Sequence, residues 1–426
     1  MSAAGMTTDE TVFTYAAPRL KFGAGASREI AFEVAALGGH RVLVVTDDGV
    51  AGTGHPARIA GELEESGCEV AVFSGVHVEP TDESMLAAVA WAREHGPFDV
   101  IVAVGGGSAI DTAKAVNLLT TNDGELGDYL NAPVGSGRAP ARPLLPLVAV
   151  PTTTGTGSES TTICVLDVLA LKVKTGISHP ALRPTVAVVD PDLTMTQPPG
   201  VTAAAGLDIL CHALESYTAR PYTAYPRKRP EQRVPYCGAN PIADVFCEKA
   251  VGLLAGSFRS AFRDGDDVRA RTDMALAATL AGLGFGNAGV HVPHANAYPI
   301  AGNVRGYRPA DYPGDEPLVP HGMAVSLTAP AAFELTYASA PDRHDRLAGL
   351  LSGGRDAGGD RRTLLSRLVR ELMTDLGLPT HLGDVGYDAG DIDTLVEGSL
   401  RQQRLLATAP LDVGADELRG VFRASL

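Results

Sequence analysis

The sequence predicts a two-domain chain, an α/β domain built on a parallel sheet followed by an all-α domain. Three observations carry this prediction. The chain has 426 residues, more than the roughly 250–300 that one hydrophobic core usually organises, so two domains are expected. The first half alternates short β-branched runs with helix-period segments of about 10–15 residues, the pattern of strands joined by crossover helices. Past Gln197-Pro198-Pro199-Gly200 the strand-like runs nearly vanish, which places the boundary between residues 1–197 and 198–426.

Each element follows from its local pattern. Arg41 to Val45, Glu69 to Phe73 and Asp99 to Val104 are apolar runs of strand length. Ala57 to Ser66, Glu83 to His95 and Ala109 to Leu119 carry helical spacing between and after them. Leu147 to Val150 and Thr185 to Val189 extend the same sheet. Beyond the boundary, Gly200 to Thr218, Asp244 to Phe262 and Asp267 to Gly284 are long Ala/Leu/Glu/Arg segments and read as helices. Two stretches rich in Pro and Tyr, Arg220 to Pro241 and Asn303 to Pro320, interrupt the helical half as loops long enough to serve a site.

Composition narrows the function classes. Fifty acidic against 35 basic side chains give a net charge of −15, which repels phosphate backbones, and no basic stripe offsets it, so nucleic acid is not an expected partner. No stretch reaches the ~18 apolar residues of a membrane span. The five cysteines, Cys68, Cys164, Cys211, Cys237 and Cys247, form no CxxC pair and read as reduced thiols. Met1 to Phe13 has neither a basic nor an apolar leader region, and the expected location is the cytoplasm.

Two loops follow predicted strands directly. Gly105-Gly106-Gly107-Ser108, with Asp111 and Lys114 beyond it, sits where a strand turns into a helix, so free helix amides point at any arriving anion. It is neither a G-x-G-x-x-G fingerprint, whose third glycine falls on Ile110, nor a P-loop; a plain turn with Ser108 as N-cap is the alternative. Pro151-Thr152-Thr153-Thr154-Gly155-Thr156-Gly157-Ser158-Glu159 adds hydroxyls and flexible amides after the next strand, although such clusters are often only turns. Two such loops at the carboxyl ends of parallel strands favour a pyrophosphate-containing cofactor, which makes 1–197 a dinucleotide-binding domain. Asp47, just past its strand, is placed to accept hydrogen bonds from a ribose diol, or to serve as a turn residue.

The helical half supplies a candidate metal site. Asp208 and His212 lie four apart on one helix face, and His294 and His321 follow in Val290-His291-Val292-Pro293-His294 and Val319-Pro320-His321-Gly322. One carboxylate and three imidazoles suit a divalent cation such as iron or zinc. His291 also has a usable spacing, and spacing does not choose between these imidazoles.

Together, Gly105-Gly106-Gly107-Ser108-x-x-Asp111-x-x-Lys114, Pro151-Thr152-Thr153-x-Gly155-Thr156-Gly157-Ser158-Glu159, Gly206-x-Asp208-x-x-x-His212-Ala213-x-Glu215 and Pro320-His321-Gly322 resemble the iron-containing (group III) alcohol dehydrogenase family. The resemblance implies a fold similar to dehydroquinate synthase, with NAD on the sheet domain and a divalent metal, iron first and zinc as the alternative, in the helical domain. It implies Asp208, His212, His294 and His321 as ligands. Gly106, Gly107, Ser108, Asp111, Thr152, Thr153, Thr156 and Lys174 match cofactor-side positions, and Asp47 the acidic position tied to NAD preference. A homo-oligomer is also implied.

One departure stands out. Family members commonly read His-Ala-x-Ala-His at the third ligand, whereas this chain reads His294-Ala295-Asn296-Ala297-Tyr298, so Tyr298 replaces a second histidine with a phenol of ordinary pKa about 10. Asn287-Ala288-Gly289-Val290-His291, Ala297-Tyr298-Pro299-Ile300, Tyr236-Cys237-Gly238-Ala239-Asn240-Pro241-Ile242, Gly386-Tyr387 and Gln403-Arg404 are similar to the transhydrogenase branch of the family. That branch implies hydride transfer through NAD from a hydroxy acid such as 4-hydroxybutyrate to a 2-oxo acid such as 2-oxoglutarate. An ordinary NAD-dependent alcohol dehydrogenase or aldehyde reductase, a maleylacetate reductase, and a silent NAD-binding protein are the rival readings. Acid substrates need a cationic anchor, and the expectation falls on Arg305 or Arg308 in one loop, or Arg227 to Arg229 in the other, against the alternative that each is a solvated surface charge.

Overall fold

A computed structural model describes residues 9–426 except 172, 313–315 and 356–357. Residues 1–8, which carry most of the amino-terminal leader reading, lie outside that set. The strands are β1 (Arg19–Phe22), β2 (Arg41–Val45), β3 (Glu69–Phe73), β4 (Val100–Gly105), β5 (Leu147–Pro151), β6 (Ile163–Val168), β7 (Val173–Ser178) and β8 (Val186–Val189). Helices α1 (Ile30–Ala36), α2 (Asp48–Ala51), α3 (His55–Glu65), α4 (Asp82–His95), α5 (Gly107–Thr121) and α6 (Leu126–Tyr129) accompany them.

Six strands form one parallel sheet in the order β1-β8-β5-β4-β2-β3. Alternation along each strand decides what covers it. Leu43, Val45, Ile101 and Ala103 pack with α4 and α5, whereas Val42, Val44, Val100 and Val102 pack with α1 and α3. From β2 the chain steps outward to β3, then returns past β2 to β4 and continues the other way. Such a reversal splays the flanking helices apart and opens a crevice at the carboxyl ends of β2 and β4. Asp47 and the glycine loop lie at those two ends.

Two features of this half escape the sequence pattern. β1 is a four-residue edge strand with polar alternation, and β6–β7 is an antiparallel hairpin turned by Leu169–Leu171 without glycine, proline or asparagine.

After Pro198 the regular secondary structure of the described residues is helical apart from isolated bridges: α7 (Pro199–Thr218), α8 (Pro241–Arg263), α9 (Val268–Ala288), α10 (Val292–Gly302), α11 (His321–Thr336), α12 (Pro341–Leu351), α13 (Arg361–Asp375), α14 (Ile392–Leu400), α15 (Gln403–Leu406) and α16 (Ala415–Ala424). α7 is buried almost all round because α8, α9 and α11 surround it, which is why it shows no polar face. The Arg220 to Pro241 segment is held down by the amino-terminal strap, where Glu10 pairs with Arg233 at 2.9 Å. No single described helix is long and apolar enough to cross a membrane.

Glu159 ends the Thr/Gly loop at only 3% exposure, and burial pushes its carboxyl up to about 7 against the opposing effect of Lys114. The folded chain therefore binds this proton more tightly than the unfolded chain, and stability is lost as pH rises from about 4.5 to 7. Glu159→Gln should remove that loss, worth up to about 3 kcal/mol. Urea unfolding at pH 5 and pH 8 checks it: the gap between the two curves should shrink in the variant, and an equal gap contradicts the assignment.

Candidate metal centre and cofactor cleft

Three helices converge on one carboxylate. Asp208 and His212 sit one turn apart on α7, His294 lies in the first turn of α10, and His321 opens α11. Asp208 Oδ1 lies 3.4 Å from His294 Nε2, 3.8 Å from His212 Nε2 and 3.9 Å from His321 Nε2. Ligand atoms of Asp208, His294 and His321 all fall within 4.8 Å of one another, and His212 joins them through Asp208. Asp208 Oδ1 and His294 Nε2 are buried without a hydrogen-bond partner. Buried polar atoms left unpaired are costly, so these orphaned, inward-facing atoms fit residues that would hold a divalent cation.

The protonation states of Asp208, His212 and His321 suit the same role, whereas His294 would have to give up a proton to a bound cation. Burial would raise the Asp208 carboxyl, but the surrounding imidazoles hold it far below the usual range. Burial drives His212 down to about 3 and lowers His321, leaving both neutral. Burial also opposes the charge on His294, yet the Glu215 and Asp208 carboxylates push it up to about 9. Glu215 orients the ring: its Oε1 accepts a 2.6 Å hydrogen bond from His294 Nδ1–H, so that Nε2 faces the centre. Its other oxygen accepts from the His291 backbone N–H at 2.6 Å, so one carboxylate both orients a ligand and fixes the start of α10.

Geometry separates the competing imidazole from the cluster. His291 is fully buried, its Nε2 is 3.0 Å from Thr218 Oγ1, and it faces away from Asp208 into the helical core. His212 is clamped between Phe285 and His294, with ring centroids 3.8 and 4.6 Å away. Gly322 permits the convergence. A Cβ there would meet the Ala204 carbonyl oxygen at 2.1 Å, so only glycine lets α11 approach α7 closely enough for His321 to reach Asp208.

The two predicted loops interlock at the sheet edge. A Cβ on Gly107 would lie 2.7 Å from Thr156, and one on Gly106 3.1 Å from the Thr153 hydroxyl. A cleft of about 800 Å³ runs from Asp47 past Gly106, Gly107, Ser108, Thr152, Thr153 and Thr156 to Asp208 and His321. That size falls in the range of small-molecule and cofactor sites. A smaller chamber of about 130 Å³ lies behind the ligands, lined by Asp111, Lys174, His212, Tyr236, His294, Tyr298 and Arg404, and it shares Asp208 and His321 with the cleft.

Several expected residues have additional duties. Ser108 is not the N-cap: α5 starts one residue earlier with Gly106 in that position, and the Ser108 hydroxyl accepts from the Glu79 N–H at 3.2 Å. Asp47 caps α2 through the Val50 N–H at 2.9 Å while also lining the cleft. Asp111 binds Ser158 Oγ, Lys114 Nζ at 3.4 Å and the Val165 N–H at 2.8 Å, tying the glycine-loop helix to the Thr loop and β6. Lys174 is held by Glu79 at 2.7 Å and Asp167 at 2.8 Å. Tyr298 is buried edge-on to His321, with centroids 6.3 Å apart.

The proposed arginines are a correction. Arg305 is exposed and pairs with Asp391, Arg229 pairs with Glu231, and Arg227 and Arg308 are exposed, while Lys228 stacks over Tyr225. None of the five lines the cleft or the chamber. Long, strongly hydrated side chains on mobile-length loops stay in water unless a partner recruits them. Arg404, on α15, is the guanidinium that reaches the chamber; it sits on a four-residue turn with no spacing signal.

Comparison with known proteins agrees with this geometry. Residues 17–191 match the family "Iron-containing alcohol dehydrogenase" and residues 231–426 its carboxy-terminal counterpart, and the chain belongs to that family of oxidoreductases. It is 42% identical to "Hydroxyacid-oxoacid transhydrogenase, mitochondrial" of Bos taurus, over 100% of this chain and 92% of the relative. Its fold superposes on a 1,3-propanediol oxidoreductase with TM-score 0.84 and 31% identity, covering 98% and 100% of the two chains. It superposes on the sulfoacetaldehyde reductase of Bifidobacterium kashiwanohense, solved in complex with NAD+, with TM-score 0.79 and 27% identity, covering 97% and 98%. The cytoplasmic expectation does not stand, because the transhydrogenase relatives are named as mitochondrial. Its physical basis was weak: five free thiols specify a reducing environment, not a particular compartment.

Two substitutions probe the centre. Glu215→Ala should weaken divalent-metal affinity by about 10–100-fold in a chelator competition, and unchanged affinity would remove the orienting role. Gly322→Ala should cost about 1–3 kcal/mol in urea unfolding of the metal-free chain, since the new methyl overlaps a backbone carbonyl.

Proposed function

We propose that the chain passes hydride, through NAD and a divalent metal, from a hydroxy acid such as 4-hydroxybutyrate to a 2-oxo acid such as 2-oxoglutarate. The observation that carries this reading is the shared wall: Asp208 and His321 line both the wide cleft and the small chamber, so a dinucleotide in one meets a small substrate in the other. The name of the relatives, hydroxyacid-oxoacid transhydrogenase, supports the two substrate classes. When bound, the cation supplies Lewis-acid polarisation of the substrate oxygen and the nicotinamide takes and returns the hydride.

The chain's own residues do the rest. Asp208, His212, His294 and His321 would hold the cation, iron by family and zinc as the alternative. The first amides of α5 at Gly107 and Ser108, with Gly106 beside them and the hydroxyls of Thr152, Thr153 and Thr156, meet the pyrophosphate. Asp47 uses its remaining carboxylate oxygen for the ribose. Lys174 keeps the chamber wall in place through Glu79 and Asp167. Burial raises the Tyr298 phenol, so it stays neutral and serves as a hydrogen-bond donor to substrate, not as a proton relay. In balance, 4-hydroxybutyrate gives up a hydride and a proton and leaves as its semialdehyde; 2-oxoglutarate gains both and leaves as 2-hydroxyglutarate.

Metal-loaded protein given both acids but no added nicotinamide tests this reading. Sustained formation of 2-hydroxyglutarate is expected. An absolute requirement for free NAD at each turnover would mean an ordinary dehydrogenase instead.

A further inference from the structure

The chamber behind the metal ligands is lined by several charged side chains among apolar ones, and those charges can be accounted for one by one. Lys174 is paired with two carboxylates, Glu79 and Asp167, and has no charge left to offer a ligand. Asp111 is bound to Lys114 and Ser158. Asp208 and its three imidazoles form the metal centre. Arg404 remains. Its guanidinium forms no ion pair or hydrogen bond with any described residue, and it lies 5.1 Å from the ring centroid of Tyr236. It is the one cation lining the chamber, among the described residues, with no carboxylate opposite it.

We propose that Arg404, stacked on Tyr236, is the specificity residue that receives the substrate carboxylate while the substrate hydroxyl faces the metal centre. A half-buried guanidinium at the wall of a largely apolar chamber has unused donors in a fixed planar fork, which matches a carboxylate in two parallel hydrogen bonds. Stacking on Tyr236 holds that fork in one orientation without consuming its donors. Both phenols feel its charge: burial raises Tyr236 and Tyr298, and Arg404 is the largest influence opposing it in each. Tyr236 comes from the long Arg220 to Pro241 loop and Arg404 from α15, so two segments remote from every metal ligand build this corner together. The assignment rests on the hydroxy-acid reading above and adds which residue enforces it.

Calorimetry with butyrate, an unreactive carboxylate lacking the hydroxyl, reads the anchor without turnover. Arg404→Ala should weaken butyrate binding by roughly 30-fold, as loss of a charged hydrogen-bonded pair implies, and Arg404→Lys should recover part of it. The ratio of kcat/KM for 4-hydroxybutyrate to that for 1-butanol should fall by a similar factor, mostly through KM. Metal content and thermal unfolding of each variant report whether the fold is kept, and Arg404→Lys keeps the test decisive if the alanine variant is unstable. Unchanged butyrate affinity, or equal losses for the acid and the alcohol, overturns the role of Arg404 while leaving the transhydrogenase reading intact. Wild-type protein that oxidises 1-butanol but neither binds butyrate nor oxidises 4-hydroxybutyrate overturns both.

Discussion

Asp208 is an ionised carboxylate at 2% exposure, and the organisation of the helical half follows from making that tolerable. A buried charge is stable only when paired and hydrogen-bonded, or when it holds a metal. Here the pairing comes from three imidazoles on three different helices. Burial keeps His212 and His321 neutral, and the Glu215 carboxylate fixes which nitrogen of His294 faces inward. The same Glu215 anchors the first amides of α10, so the electrostatics of the centre and the placement of a helix are one interaction.

Packing then determines how close the helices come. α7 has almost no solvent face, and α11 reaches it only because Gly322 lies against the Ala204 carbonyl. The sheet half obeys a matching constraint, since Gly106 and Gly107 let the loop after β4 nest against Thr153 and Thr156 after β5. Both halves thus use glycine where backbone must approach another chain segment. The result is a wide cleft and a small chamber with a common wall at Asp208 and His321, an arrangement suited to bringing a cofactor and a small molecule together over one ion.

Much of the fold was legible because it is periodic. Arg41–Val45 and Glu69–Phe73 are strands over the same residues that form apolar runs, and the long helices begin and end within a few residues of their patterns. What was not legible lacked a local signal. The β6–β7 hairpin has no turn residues at Leu169–Leu171, and β1 alternates Arg19 and Lys21 with apolar neighbours at an edge. The basic residues of the Pro-rich loops drew attention by their density, yet they are solvated, and the guanidinium at the site is a single residue on a short turn near the carboxyl end.

By itself the sequence determined which chemistry was available: a carboxylate and imidazoles at helical spacing, glycines and hydroxyls after parallel strands, and an acidic, reduced, two-part chain. Tertiary structure alone decided which members of those sets come together. His291 and His294 are three residues apart, but the entry of α10 turns one toward Thr218 and the other toward Asp208. Arg404 acquires its place only when α15 and the loop bearing Tyr236 pack side by side. The reason is one of range: dihedral preferences and hydrophobic period act over a few residues, whereas the choice between equivalent side chains is made by contacts between segments a hundred or more positions apart.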